Sequence, residues 1–290
     1  MNHLVMYSGG LASWDAARLA IQNYGAENVI LLHTDTLGED PDCYRFMIEG
    51  AAALYGVELP AALLNRARSI PLFEDGYEWR KEFLPQLAAM VHACLPQFFW
   101  TNTGETIWDA FKRNRALGST RFQICSNDLK IKPSEKFLKR FKPEEITLHF
   151  GLDWSETARL NKVKARREPY FVSSDYHDSL RSHSDAREAL SEYGLLPPSM
   201  YALGFTHANC SGFCVKAGQK HFAKLLEVRP ELYAFSEMKE EEIRSYLGKD
   251  VSILRDRRGG ETTPLPMAKF RQRGKEETDE NDLGACGCYI

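Results

Sequence analysis

The chain has 290 residues, 43% hydrophobic and 11% aromatic, enough to bury the core of one large α/β domain with a smaller appendage. Its 37 Lys and Arg against 40 Asp and Glu give a formal net charge of −3, which excludes a globally basic surface; any nucleic-acid contact has to be local. The apolar N-terminal run is short and lacks a basic flank, and no run is long enough to span a bilayer, so the composition predicts a cytoplasmic protein with no membrane partner.

In chain order, the apolar run 3–7 breaks into Ser8-Gly9-Gly10-Leu11-Ala12-Ser13, and the pattern then turns helical over 13–23. This is a strand–loop–helix turn in which glycines admit an anion close to the backbone and the helix start donates N–H groups to it. The loop has no lysine and does not fit the Walker pattern. A strand at 28–35, a helix at about 41–55 and a strand-like stretch over 57–64 follow. That alternation predicts a doubly wound, mostly parallel sheet with its ligand at the carboxyl ends of the strands. Residues 77–117 read as helical, with Phe98-Phe99-Trp100 as core, and 146–153 reads as another strand ending in turn residues. Helices and polar connections fill 155–200, and Leu196-Pro197-Pro198 opens a helix at 199–204. Beyond Thr206 come a cysteine turn, helices at 219–227 and 236–247, and a charged tail over 256–282 whose composition predicts partial disorder. The expected division is 1–205 for the nucleotide-binding domain and 206–290 for a cysteine-bearing C-terminal extension.

Seven cysteines in a cytosolic chain argue for thiol chemistry or metal rather than a disulfide framework. Cys43 and Cys94 read as small buried hydrophobes. Cys125 precedes Lys130 and Lys132, which lower a nearby thiol's pKa and suit phosphate or sulfate. Cys210 and Cys214 flank a glycine turn, and Cys286 and Cys288 close the chain. Four thiolates suit a tetrahedral zinc or a 4Fe–4S cluster. The absence of C-x-x-C knuckles favours the cluster over zinc, with free redox thiols the remaining reading. His207 is the histidine of interest because it lies three residues from Cys210. Asp35, at a strand end beside His33 and Thr34, is placed to hold Mg²⁺ or a ribose hydroxyl. Glu39, Asp40 and Asp42 read as a solvated helix start. Arg255, Arg257 and Arg258 with Lys162, Lys164, Arg166, Arg167, Arg271, Arg273 and Lys275 are either solvated charges or a local groove for nucleic-acid phosphates.

The S-G-G-x-x-S loop resembles the PP-loop ATP pyrophosphatase family. Cys125-Ser126-Asn127-Asp128-Leu129-Lys130 is similar to the C-(S/T)-x-x-L-K region of its phosphoadenosine-phosphosulfate-reductase branch, and Gly151 to Arg159 resembles a later motif of that branch. The resemblance implies an adenine nucleotide α-hydrolase-like fold that takes ATP and Mg²⁺. Ser8, Gly9, Gly10 and Ser13 would hold pyrophosphate, with His33, Thr34 and Asp35 on the nucleotide or Mg²⁺. Lys130, Lys132 and Arg159 would stabilise phosphate charge. It further implies adenylylation of an acceptor followed by sulfur insertion, with a nucleic acid as acceptor (DNA phosphorothioation or base thiolation) and a cysteine desulfurase as sulfur donor. The cluster ligands would be Cys125, Cys210, Cys214, Cys286 and Cys288. A homo-oligomer is left open. The reductases of this branch end in E-C-G-x-H, whereas this chain ends Cys286-Gly287-Cys288-Tyr289-Ile290, which argues against sulfonucleotide reduction. That reductase, and a nucleotide-sensing or defence protein without turnover, are the competing readings.

Overall fold

The computed structural model describes residues 1–72, 77–119, 122–258 and 261–273. The elements run β1 (Asn2–Met6), α1 (Leu11–Tyr24), β2 (Val29–Asp35), α2 (Pro41–Tyr55), α3 (Ala61–Arg68), α4 (Arg80–Cys94), β3 (Phe98–Asn102) and α5 (Ile107–Asn114). A wide π-helical turn, Ser126–Ile131, leads into α6 (Lys132–Leu138), followed by β4 (Ile146–His149), α7 (Thr157–Arg167), β5 (Phe171–Val172) and α8 (Asp175–Asp178). The rest is α9 (His183–Glu192), α10 (Ser199–Ala202), α11 (Gln219–Val228), α12 (Pro230–Leu247), β6 (Leu254–Asp256), β7 (Thr263–Leu265) and α13 (Met267–Arg273).

The five-stranded sheet has the order β3-β2-β1-β4-β5 and is parallel throughout. Strand alternation explains why it is covered on both faces. Val5, Tyr7, Val29, Leu31, Phe98 and Trp100 pack on one side with α1, α2, α3, α4 and α9. Leu4, Met6, Leu32, Leu148 and Phe150 pack on the other with α6 and α7. The sheet is therefore doubly wound, as expected, and strand order reverses between β1 and β4. In such a sheet the crevice at that reversal is where ligands bind.

Four readings are corrected. Residues 61–68 are helical and 57–60 are irregular, so no strand forms there. Pro60 fixes an extended entry, and the alanine-rich segment continues as α3, packing Leu63 and Ala67 on the core. Conversely, Phe98 to Asn102 is a strand inside the span read as helical; its aromatic residues are the predicted core. Tyr170 to Ser173, read as a connection, contributes the two-residue edge strand β5. In the charged tail read as partly disordered, the described residues 256–258 and 261–273 are ordered by the β6–β7 hairpin and α13, which bury Leu254, Leu265, Met267 and Phe270, and 274–282 lie outside the described residues.

These residues belong to a separate core that joins α5 and the π-helical turn to α11, α12 and the 200–217 segment around Trp108, Phe111, Phe213 and Phe222. The C-terminal part thus packs directly on the sheet domain's α5. Among the described residues no helix is long and apolar enough to cross a membrane.

Candidate functional site

The Ser8–Ser13 loop leaves the carboxyl end of β1 at the strand-order reversal. Gly9 has φ +82°, and a Cβ there would sit 2.8 Å from the Cys43 sulfur, so the position requires glycine on both counts. Gly10 is the N-cap of α1 and supplies no side chain to it, which leaves first-turn amides without an intrahelical acceptor. The Ser13 hydroxyl staples the loop: it donates to the Gly10 carbonyl (2.9 Å) and accepts from the Ser8 N–H (3.2 Å) and Ser8 Oγ (3.1 Å). From β4, Gly151 closes over the helix start. A Cβ on it would lie 2.5–2.6 Å from the Ala12 carbonyl and Ser13 nitrogen, so only a bare backbone fits against the first turn of α1. Two contributors escaped the sequence reading. Tyr201, from α10, accepts from the Leu11 N–H at 3.2 Å. Cys43, read only as a hydrophobe, is buried and donates its thiol to the Gly9 carbonyl (3.4 Å); burial raises its pKa.

The β2 residues support the loop from beneath. Asp35 is fully buried, and its carboxylate accepts from the Leu37 N–H (2.7 Å), the Tyr44 hydroxyl (2.8 Å) and the Trp100 indole (3.0 Å). Burial raises its pKa. His33 Nδ1 bonds the Tyr7 carbonyl at 2.9 Å, and Thr34 is buried beside it. His33 Nε2 and Thr36 Oγ1 are buried with no hydrogen-bond partner among the described residues.

Beyond the β2 exit lies a second region. Cys125, Cys210 and Cys214 line one recess with Thr36, Ser126 and Lys130. The sequence thus scatters these three thiols over 90 positions and the fold gathers them. Glu39 is bonded to two of the residues that line the recess, Lys130 and Cys210. It is fully buried, pairs with Lys130 at 3.0 Å and accepts the Cys210 N–H, so the expected solvated acid is corrected to a buried ion pair. Burial pushes its carboxyl up, but Lys130, the Cys210 N–H and His33 outweigh this and hold it below the usual value. Cys210 and Ser211 both adopt left-handed backbone, φ +56° and +52°, a conformation that non-glycine residues take at a cost of about 1–3 kcal/mol each. Their turn is held by the Glu39 contact and by the Ser211 hydroxyl donating to the Gly38 carbonyl (3.0 Å).

His207 stacks on His221 with ring centroids 5.1 Å apart, and its Nδ1 is buried without a partner among the described residues. Burial and His221 push its pKa down to about 4, with Glu39 opposing and Lys130 and Arg159 adding to the fall, so the imidazole is neutral near pH 7. Arg159 pairs with Glu156 one helical turn away, as the register predicts, and its Nε is buried without a partner among the described residues.

The two lysines part company. Lys130 faces the thiol recess, whereas Lys132 is 68% exposed, pairs with Asp128 at 2.6 Å and lines an open groove with Asn114, Phe122, Lys162 and Arg166. Much of the basic group is also neutralised locally: Arg258 and Arg273 pair with Asp256, and Arg271 with Glu237. Buried Arg167 donates to Ser134.

Thiolates are the donor set that zinc and iron–sulfur clusters take. The recess as folded has about 10 Å³ of free space, room for one water, and among the described residues no three His, Cys, Asp or Glu side chains are arranged to hold a metal. Cys286 and Cys288 lie outside the described residues. Comparison with protein-family models, curated proteins and solved structures gave no match, so the geometry of the two regions carries the functional reading.

Proposed function

We propose that this chain is a PP-loop-type ATP pyrophosphatase that adenylylates an acceptor, and that the adjoining thiol recess serves sulfur transfer to the activated product. The observation that carries the reading is the place of the Ser8–Ser13 loop. It lies at the strand-order reversal of a doubly wound parallel sheet, with a glycine N-cap that gives the first-turn amides no side-chain cap and with Gly151 leaving room for nothing but backbone beside it.

In this reading the Gly9, Gly10 and first-turn amides hold the β,γ-pyrophosphate of ATP, and the Ser8–Ser13 hydroxyl pair fixes the loop around it. An acceptor oxygen forms a bond to the α-phosphorus as the bond to the bridging oxygen of the β-phosphate breaks. Pyrophosphate leaves and the acceptor's proton passes to solvent. Mg²⁺ offsets phosphate charge when bound. Lys130, which lines the recess, and Arg159 are the proposed cations for phosphate charge, each of which would have to exchange its present carboxylate partner, Glu39 or Glu156, for the phosphate. A sulfur nucleophile then displaces AMP, and a nucleic acid is the proposed acceptor. Cys125, Cys210 and Cys214, with Cys286 or Cys288, are the proposed thiolates that would hold a 4Fe–4S cluster; the recess as folded is too small for one. Such a cluster supplies soft, redox-active iron and sulfide.

The test is anaerobic purification followed by incubation with ATP, Mg²⁺ and separate DNA and RNA pools, with AMP and pyrophosphate quantified. Pyrophosphate release stimulated by one pool is expected, together with absorbance near about 400 nm. Ser13→Ala should lower release by roughly tenfold or more, because the loop's central hydrogen-bond hub is gone. Absence of pyrophosphate with either pool would sink the adenylylation reading.

A further inference from the structure

Tyr201 lies on a short segment, 199–205, that touches both the loop and the cysteine turn. Its hydroxyl accepts the Leu11 N–H, the first amide of α1, and lies 3.3 Å from where a Gly10 side chain would begin. The phenol therefore stands over the loop and takes up one of its anion-binding donors. Its ring touches both the sheet core and the C-terminal core, and Arg187 stacks over it at 5.5 Å.

The neighbours of Tyr201 act on the other region. Met200 Cε and Phe205 Cζ lie 3.0 and 2.8 Å from the position of a Gly212 Cβ, so both pack directly on the backbone of the left-handed Cys210–Gly212 turn. Met200 and Phe205 are tied to each other by the Phe205 N–H to the Met200 carbonyl (3.1 Å), and the Gly204 N–H bonds the Tyr201 carbonyl (3.1 Å). The start of the element is anchored separately: the Ser199 N–H donates to Asp42 (2.7 Å), and Arg45 reaches the Leu196 and Pro197 carbonyls. One end is fixed to α2, and Tyr201 and Met200 face different regions.

We propose that Tyr201 is a latch displaced by phosphate, coupling occupancy of the loop to release of the Cys210–Gly212 turn. The inference rests on the ATP reading of the loop. The Leu11 N–H has the phenol oxygen as its acceptor, and an ionised phosphate oxygen makes a hydrogen bond roughly twice as strong. Exchange of one acceptor for the other breaks the Leu11–Tyr201 hydrogen bond, and the Met200–Phe205 contact with Gly212 loosens as the ring shifts. This supplies the movement that the narrow recess needs before a sulfur-bearing group enters.

Hydrogen exchange of the backbone amides at 199–213 reads the coupling in the wild-type protein, with ATP and inorganic pyrophosphate as separate probes. Faster exchange at Gly204, Phe205 and Phe213 on adding ATP is expected. Tyr201→Phe keeps the ring and its packing on both cores while removing the competing oxygen. It should bind ATP about two- to tenfold more tightly and show the fast exchange without ATP. The latch is overturned if wild-type protein binds ATP with exchange at 199–213 unchanged. It is also overturned if Tyr201→Phe binds ATP more weakly, since the hydroxyl is then a phosphate ligand. Protein that binds neither ATP nor pyrophosphate removes the loop reading itself, and the latch falls with it.

Discussion

A carboxylate and an ammonium buried 3.0 Å apart, as Glu39 and Lys130 are, have both left water, and desolvation of each is offset chiefly by the other. Removing one leaves a buried charge; removing both does not. Glu39→Gln should therefore cost about 3–5 kcal/mol in denaturant unfolding, and Glu39→Gln with Lys130→Met should recover part of that loss. Additive losses in the double variant would show that the pair is not coupled. The sequence conceals this pair because 91 positions separate its members, and Glu39 stands among Asp40 and Asp42, where helix-start acids are ordinarily solvated. Gly151 is concealed for a different reason. Its glycine was visible, but its closeness to Ala12 and Ser13 depends on β4 lying beside β1, a pairing no local pattern encodes.

The segments around α2 show what an element needs beyond its own propensity. The β2 exit, Thr36 to Asp40, carries no regular structure, yet it shapes both regions of the site. Arg80, at the start of α4, is fully buried there and donates to the carbonyls of Leu37 (3.1 Å), Glu39 (2.8 Å), Pro71 (2.7 Å) and Leu72 (2.8 Å). A guanidinium fork serves four acceptors from one plane, whereas an ammonium has three donors on a single atom. Arg80→Lys should lower unfolding stability by roughly 2 kcal/mol or more, leaving at least one buried carbonyl unpaired. Unchanged stability in a denaturant titration would mean that water replaces the lost bonds. Strands β1, β2 and β4 and helices α1, α2 and α11 were legible because each carries its own apolar period and a glycine or proline boundary. The stretch 57–64 was not, since Leu59, Leu63 and Leu64 fit either period, and the helix wins through Leu63 and Ala67 packing on the core. The β6–β7 hairpin and α13 were hidden by surrounding charge. Their fold depends on Glu240 in α12, which accepts the N–H groups of Ile253 (2.8 Å) and Met267 (2.6 Å).

Over the whole molecule, two buried titratable clusters lie in different cores and set opposite dependences on pH. In the sheet, His149 bonds His3 at 2.9 Å, and His3 stacks on Tyr24, whose hydroxyl is bonded to Asp175. Burial and His3 lower the His149 pKa to about 4, with Asp175 opposing. The unfolded chain takes up that proton near pH 6.5 and the folded one does not, so this contribution is full above pH 6.5 and is lost as pH falls toward 4. In the C-terminal core, burial raises Glu240 to about 7, against the two N–H bonds and Arg244. That contribution is full below pH 4.5 and is lost as pH rises to 7. Each shift corresponds to an upper bound of about 3 kcal/mol, and over pH 4.5–6.5 the two slopes cancel in part. Subtracting variant from wild-type stability isolates each group, since other carboxylates are common to both. The advantage of wild type over His149→Gln should grow as pH rises from 4 to 6.5, and its advantage over Glu240→Gln should shrink as pH rises from 4.5 to 7. Parallel curves for wild type and either variant would show that the group titrates alike in the folded and unfolded chain. Opposed slopes in one unfolding transition would also show that the sheet and the C-terminal core unfold together, the cooperativity required if Tyr201 is to carry a signal between them.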